Sequence, residues 1–116
     1  MGSVRAGNLY GTLELLILKG LDGNGPMHGV SVADYIKARS QGVFQIEEGS
    51  LYPALHRLQA KGYVSWEWVK TDEGKRAKYY EISAAGRGAL ARELAGWLES
   101  TRAMLAVLDV RSEEVT

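Results

Sequence analysis

The sequence contains no cysteine, only two prolines and a single phenylalanine among its 116 residues. Without cysteine, neither a disulfide framework nor a thiolate metal site can form. Runs of apolar residues such as Leu15–Leu18 are far shorter than the roughly 20 residues that a membrane-spanning helix needs. The first residues also lack the basic and then apolar pattern of a secretory signal. We therefore expect a soluble, cytoplasmic protein with no membrane partner.

An excess of one charge is missing as well, because 14 basic and 14 acidic residues give a formal net charge of zero. Domains that bind nucleic acid usually carry a basic excess, so the total charge argues against DNA. The charges are unevenly distributed, however. Between Arg57 and Tyr80, six cations stand against three acids, a net charge of +3. A local basic segment of this kind is sufficient for contact with phosphates.

The 46% hydrophobic content and the length of the chain suit one domain with a single core. Helical periodicity over residues 9–21 places four residues on one face: Leu13, Leu16, Ile17 and Leu21. Gly20 and the glycine-rich residues 22–26 are expected to end this helix. A second helix is predicted over residues 28–40, with Val30, Ala33, Ile36 and Lys37 on one face, and residues 43–46 form a short extended piece.

A third helix is predicted to begin at Ser50 as N-cap, with Pro53 in its first turn, and to run to Ala60. Leu51, Leu55 and Leu58 form its inward face. Two strands are predicted next, at residues 64–69 and 76–82, because apolar and polar residues alternate on either side of a turn at residues 72–74. The predicted fold is therefore α+β and mostly helical, a winged helix-turn-helix of three helices and a two-stranded wing.

A long last helix is predicted from a cap at Ser83 to about Leu108, with residues 111–116 as a frayed tail. Its apolar stripe comprises Leu90, Leu94, Trp97, Leu98, Thr101, Met104, Leu105 and Leu108. The stripe is roughly 27 Å long at the rise of an α-helix, which is too long to be buried on so small a body. We expect a DNA-binding unit at residues 1–83 and a dimerisation helix at residues 84–116, where Leu90, Leu94, Trp97, Leu98, Met104, Leu105 and Leu108 meet a second copy.

The third helix and the hairpin carry the residues that suit contact with DNA. A recognition helix presents its N-terminal residues to the major groove, and a wing holds phosphates with cations. The candidates on and after the helix are Ser50, Tyr52, Pro53, His56, Arg57 and Lys61, and those on the hairpin are Lys75, Arg76 and Lys78. An ordinary hydrogen-bonded surface role for Tyr52 and His56 remains open, as does a plain solvated hairpin tip.

Two segments, E-E-G-S-L-Y-P-A-L-H-R-L-Q-A-K-G-Y-V (47–64) and K-R-A-K-Y-Y-E-I-S-A-A-G-R (75–87), closely resemble the PadR-like family of transcriptional regulators. T-L-E-L-L-I-L (12–18) and P-M-H-G (26–29) are similar to that family too. The resemblance covers roughly residues 9–110. It implies a winged helix-turn-helix repressor with a C-terminal dimerisation helix, released by a small molecule, and the single last helix resembles the short-tailed subgroup.

The sequence departs from the family pattern in two places. Gly29-Val30-Ser31 stands where the family often has Gly-Tyr-Glu, and Ala77 interrupts the basic residues before the Lys-Tyr-Tyr segment. Both departures bear on which operator is bound. The resemblance also implies that Trp97, beside Thr101, could line a site for a planar aromatic effector at the dimer interface, although Trp97 as simple dimer packing is the more common case.

Catalysis has little support in the sequence. His28 and His56 lie far apart, and no zinc-protease spacing, phosphate loop or nucleophile elbow occurs, so we expect no enzyme, metal or cofactor. The expected function is sequence-specific binding of double-stranded DNA by a homodimer that represses transcription. Two alternatives remain: a winged helix that binds protein partners without DNA, and a module whose main role is small-molecule binding.

Overall fold

The computed structural model describes residues 6–111, with side chains from residue 12 onward, as four helices and a three-stranded antiparallel sheet. The helices are α1 (Ala6–Asn24), α2 (Gly29–Arg39), α3 (Glu48–Ala60) and α4 (Ala84–Val107). The strands are β1 (Met27–His28), β2 (Val64–Lys70) and β3 (Arg76–Ile82), in the sheet order β1-β3-β2. This order confirms the predicted fold class, and β1 is an addition to it. Residues 112–116 of the predicted tail lie outside the described residues.

Helix α1 lies at the centre of the molecule and contacts α2, α3, α4 and β3. Leu13, Ile17 and Leu21 are buried as predicted, whereas Leu16 is half-buried and Leu18 takes a core position that the predicted face omitted. Helix α1 is buried on more than one side because several elements surround it. A prediction that assigns it a single apolar face therefore misses some of its core residues.

The first helix ends within the predicted glycine-rich residues 22–26, but Gly20 lies inside the helix and does not help to end it. Helix α1 continues to Asn24, and Gly25 follows with a positive φ of 73°. Gly20 instead allows close packing, since a Cβ at this position would lie only 3.1 Å from Cδ2 of Tyr35. The glycine therefore brings α1 and α2 together.

Helix α2 begins after His28, whose Nδ1 accepts a hydrogen bond from the backbone N–H of Val30 at 3.1 Å. Its predicted inward face is partly wrong, because Val30 is exposed and Val32 is completely buried. His28 also belongs to β1, which pairs Met27 with Tyr80 in β3. A strand of two residues has no alternation to detect, so the sequence did not predict it.

The hairpin of β2 and β3 turns at the predicted residues, between Lys70 and Arg76. Val64 pairs with Ile82 at the buried end, and Lys70 pairs with Arg76 near the tip. Between α2 and α3, residues 43–46 form no strand, but Phe44 and Ile46 pack against the core.

Helix α4 begins at the predicted cap. The Ser83 hydroxyl accepts a hydrogen bond from Gly86 N–H at 3.0 Å and donates one to the carbonyl of Gly62 at 2.6 Å. Gly86 is required for packing, because a Cβ there would collide with the carbonyl oxygen of Tyr63. Ala89 and Leu90 are buried, whereas residues 91–100 are all exposed. Only the first turns of α4 thus belong to the core of its own chain.

Candidate nucleic-acid interface

Helix α3 begins three residues earlier than predicted. Its N-cap is Glu47, whose side chain makes no capping hydrogen bond, so the prediction that Ser50 caps the helix is wrong. Ser50 lies within the first turn instead, where its backbone N–H donates to the carbonyl of Glu47 at 2.9 Å. Pro53 consequently falls in the second turn, on the exposed side, where water can reach the carbonyl that its missing N–H leaves unbonded.

The burial pattern divides α3 into an inner and an outer face. Its buried residues are Leu51, Ala54, Leu55 and Leu58. Gly49, Pro53, His56 and Ala60 are exposed on the opposite side. Glu48 and Gln59 are exposed on this helix as well. The outer face therefore presents the imidazole of His56 among small residues, with a carboxylate and an amide nearby.

Tyr52 lies at the edge of the outer face and is turned towards α2. Its ring packs on Gly29, where a Cβ would lie 3.1 Å from Cε1 of the ring and 3.3 Å from the phenol oxygen. Burial raises the pKa of the neighbouring Tyr80 phenol above its ordinary value, and the proximity of Tyr52 raises it further. The ring of Tyr52 therefore has a packing role, and its hydroxyl lies near a second phenol.

Arg57 and Lys61 lie on the other edge of α3 and both bind Glu14 of α1. Arg57 Nε donates to one carboxylate oxygen of Glu14 at 2.8 Å, and Lys61 Nζ donates to the other at 3.1 Å. The Glu14 side chain is 15% exposed and that of Arg57 is 37% exposed. This ion-pair cluster connects α1 to α3. Arg57, a predicted DNA contact, is therefore held by a carboxylate in the free protein.

The remaining predicted cations lie on the hairpin. Lys75 is at the exposed tip, where the turn is closed by hydrogen bonds from Thr71 N–H to the Lys75 carbonyl at 2.6 Å and from Lys75 N–H to the Thr71 hydroxyl at 3.2 Å. Arg76 and Lys78 follow on one face of β3. Within residues 12–111, none of these three side chains pairs with a carboxylate.

Two tryptophans of β2 lie against the hairpin cations. Arg76 Cζ is 4.7 Å from the centroid of Trp68, and Lys78 Nζ is 4.1 Å from that of Trp66. The sequence did carry a signal for these contacts. A hairpin that turns at residues 72–74 places Trp68 opposite Lys78 on the neighbouring strand. Glu14 carried no such signal, since it is 43 residues from Arg57.

The outer part of α4 exposes an apolar stripe. Trp97 is 46% exposed, Met104 is 62% exposed and Leu94 is 42% exposed, and Leu98 and Leu108 are exposed as well. Thr101 and Leu105 are half-buried. Large exposed apolar patches in small proteins mark interaction sites. Of the stripe that was predicted from periodicity, Leu90 is buried in the core of its own chain, whereas most of the part from Leu94 to Leu108 is exposed in the single chain.

Among residues 6–111, no helix is both long and apolar enough to cross a bilayer. The same residues hold no group of three or more histidine, aspartate or glutamate side chains that could bind a metal ion. What the described surface does contain is an exposed face of α3, a basic hairpin and an apolar helix stripe.

The family model described as the Transcriptional regulator PadR-like family matches residues 17–92. Because the match covers more than half of the chain, this protein belongs to the PadR-like family. It is a transcriptional regulator and not an enzyme, and membership of the family implies DNA as a partner.

Individual relatives agree with this assignment. Transcriptional regulator Rv3488 from Mycobacterium tuberculosis is 36% identical over 62 residues, which are 53% of this chain and 57% of that protein. The structure of a transcriptional regulator from Clostridium thermocellum matches with a TM-score of 0.75 at 25% identity, over 83% of this chain and 92% of that one. A PadR family transcriptional regulator from Eggerthella lenta matches with a TM-score of 0.75 at 27% identity, over 89% and 88%.

Proposed function

We propose that this regulator binds double-stranded DNA sequence-specifically as a homodimer, represses transcription and is released by a small molecule. The observation that carries DNA binding is the basic hairpin, whose Lys75, Arg76 and Lys78 have no carboxylate partner within the described side chains. Unpaired cations on a protruding hairpin suit adjacent phosphates, which supply most of the affinity for DNA.

Base recognition falls in this proposal to the N-terminal half of α3. Ser50, Tyr52, Pro53 and His56 lie on or beside its outer face, and the positive pole of the helix N-terminus attracts the phosphate backbone. Arg57 and Lys61 have another main role in this proposal. They hold α3 on α1 through Glu14, and they reach phosphate only by giving up that carboxylate.

The test of DNA binding is a gel shift with the intergenic DNA upstream of the protein's own gene. A two-fold dimer should protect an inverted repeat whose half-sites lie about one helical turn apart, roughly 10 base pairs, or a small multiple of it. Binding that is equally strong on a scrambled fragment would contradict sequence specificity. Absence of binding to any duplex at low salt would favour a winged helix that serves protein or small-molecule partners.

Dimerisation is proposed to bury the exposed stripe of α4 against a second copy. Leu90 is already buried, so the interface would centre on Leu94, Trp97 and Leu98 and continue through Met104, Leu105 and Leu108. Residues 84–116 would then serve mainly for association and residues 1–83 for DNA. Changing Leu94 and Leu98 to Glu should give monomers or unfolded chain, because the dimer would bury unpaired charges.

Light scattering checks the oligomeric state directly. Wild-type protein that is monomeric at working concentrations would contradict the dimer. Arg92→Glu is a matched control, because it lowers the net charge by as much as the double leucine change does, at an exposed α4 position outside the apolar stripe. This control should remain dimeric.

Release by an effector is proposed to involve Trp97 and Thr101 at the dimer interface. An exposed indole beside a small hydroxylated side chain suits a flat aromatic molecule, and ring stacking contributes about 0.5–1.5 kcal/mol beyond burial. Planar cationic or phenolic compounds should quench tryptophan fluorescence saturably in wild type and less in Trp97→Ala. They should also shift operator affinity, and DNA should shift compound affinity by the same factor. If Trp97→Ala dimerises less well and no compound saturates wild type, Trp97 is only packing.

A further inference from the structure

Two tryptophans and two cations form one layer on a single face of the hairpin. Arg76 Cζ lies 4.7 Å from the Trp68 centroid, and Lys78 Nζ lies 4.1 Å from the Trp66 centroid and 5.7 Å from that of Trp68. The two indoles contact each other edge to face, with centroids 5.6 Å apart and planes at 82°. The strand register explains the layer, because Trp68 is the direct strand partner of Lys78.

An aromatic ring holds a cation differently from a carboxylate. The ring face attracts the charge through its quadrupole but leaves the net positive charge in place. A guanidinium held in this way keeps N–H donors for a planar, bidentate partner such as a phosphate. Arg76 has no acidic partner among the described side chains, so both its charge and its donors are available.

The geometry points to Trp68 as a positioning residue for DNA binding: its indole holds Arg76 in the conformation that binds phosphate. This inference rests on the proposed function, because it needs the hairpin to contact DNA. A long, unrestrained arginine loses rotamer freedom when it binds a phosphate, whereas an arginine already held on a ring loses less. The advantage corresponds to about a two- to tenfold gain in affinity for one side chain.

The exposure of Trp68 supports this role over plain packing. Its side chain is 49% exposed, whereas its neighbour Trp66 is half-buried and packs against the hydrophobic core. A large indole left half in water contributes little to the core. Its main described contacts are the cations and the other ring.

The first experiment measures binding of Trp68→Ile to a random-sequence DNA duplex over a range of salt concentrations. Isoleucine suits a strand but has no ring. Affinity should fall about two- to tenfold at every salt concentration, while the slope of log affinity against log salt stays as in wild type, since no charge is removed. Trp68→Phe, which keeps a ring face, should recover most of the affinity.

A double-mutant cycle then separates an action through Arg76 from a direct contact. In an Arg76→Gln background, Trp68→Ile should cause no further loss, because the side chain that it positions is gone. Lys75→Gln is the matched control, because Lys75 lies at the same tip without a ring contact in the described chain. In that background the loss caused by Trp68→Ile should remain complete. If Trp68→Ile lowers the thermal midpoint, Trp68→Thr replaces it in the cycle.

The possible outcomes separate this inference from the proposed function. A wild type that binds no duplex at low salt overturns both. A wild type that binds, together with a Trp68→Ile variant that binds equally well, overturns only the positioning role. If Trp68→Ile lowers DNA affinity as much in the Arg76→Gln background as in wild type, the positioning role is overturned too. Trp68 would then act on DNA or on the hairpin without Arg76.

Discussion

The cations of α3 and those of the hairpin have different partners, although the two sets follow one another in the sequence. Arg57 and Lys61 share the carboxylate of Glu14, which lies largely out of water. Arg76 and Lys78 lie over indole rings and keep their full charge. The carboxylate uses its cations to join two helices, whereas the rings leave theirs available for a ligand. A count of basic residues along a chain therefore overestimates the charge that a partner can use.

The largest expected effect comes from removing the hairpin cations. Replacing Lys75, Arg76 and Lys78 together by Ala should reduce the salt slope of DNA binding by as much as about 2.7, at about 0.9 for each phosphate contact. All sequences should be weakened alike, because phosphates carry no base identity. Fluorescence anisotropy with labelled operator and scrambled duplexes measures both effects. A loss of specificity at an unchanged slope would show instead that the hairpin contacts bases.

The corresponding change in α3 should affect stability and not the salt slope. Arg57→Ala removes the shorter of the two ion pairs of Glu14 and should lower the free energy of unfolding by about 1–3 kcal/mol. Urea denaturation measures this loss, and Glu14→Ala combined with Arg57→Ala gives the coupling between the partners. If Arg57→Ala instead leaves stability unchanged and reduces the salt slope by about 0.9, the two cation sets do not differ as described.

A smaller effect is expected at the edge of α3 that faces α2. Tyr52→Phe keeps the ring on Gly29 and removes only the hydroxyl. Stability should change by less than about 0.5 kcal/mol, while operator affinity should fall about two- to tenfold if the hydroxyl binds DNA. Tyr52→Ala is less informative, because it also removes the packed ring. An unchanged operator affinity of Tyr52→Phe would leave Tyr52 with a packing role alone.

The smallest effect concerns pH at the base of the hairpin, where Tyr80 lies. Burial and then Tyr52 raise the pKa of Tyr80 above 10.0, so the folded state favours the neutral phenol. The stabilisation is complete below the unfolded pKa and is lost as pH rises through the folded pKa. Wild type should therefore lose stability in alkaline solution above about pH 10. Tyr80→Phe should lose less stability over the same pH range, because it has no phenol to ionise at this position. Thermal midpoints over this pH range provide the measurement. Parallel curves for the two proteins would contradict the raised pKa.

Signals that lie close together in sequence predicted much of the fold. The cap at Ser83, the turn at residues 72–74 and the two strands β2 and β3 each depend on a few neighbouring residues, and the structure contains all of them. The start of α3 was wrong because Glu47 serves as N-cap without a side-chain hydrogen bond. Gly20 was misread because the reason for a glycine there is the ring of Tyr35 on another helix.

The sequence by itself determined the order of elements, the basic segment and the apolar stripe of α4, because periodicity, capping and local charge depend on backbone geometry over a few turns. The tertiary structure alone decided what each cation does. Glu14 meets Arg57 across 43 residues of chain only because α1 packs on α3. Trp68 meets Arg76 only because the hairpin brings one strand back beside the other. An ion pair neutralises charge and a ring contact preserves it, so the same residue types have different uses once the fold has chosen their neighbours.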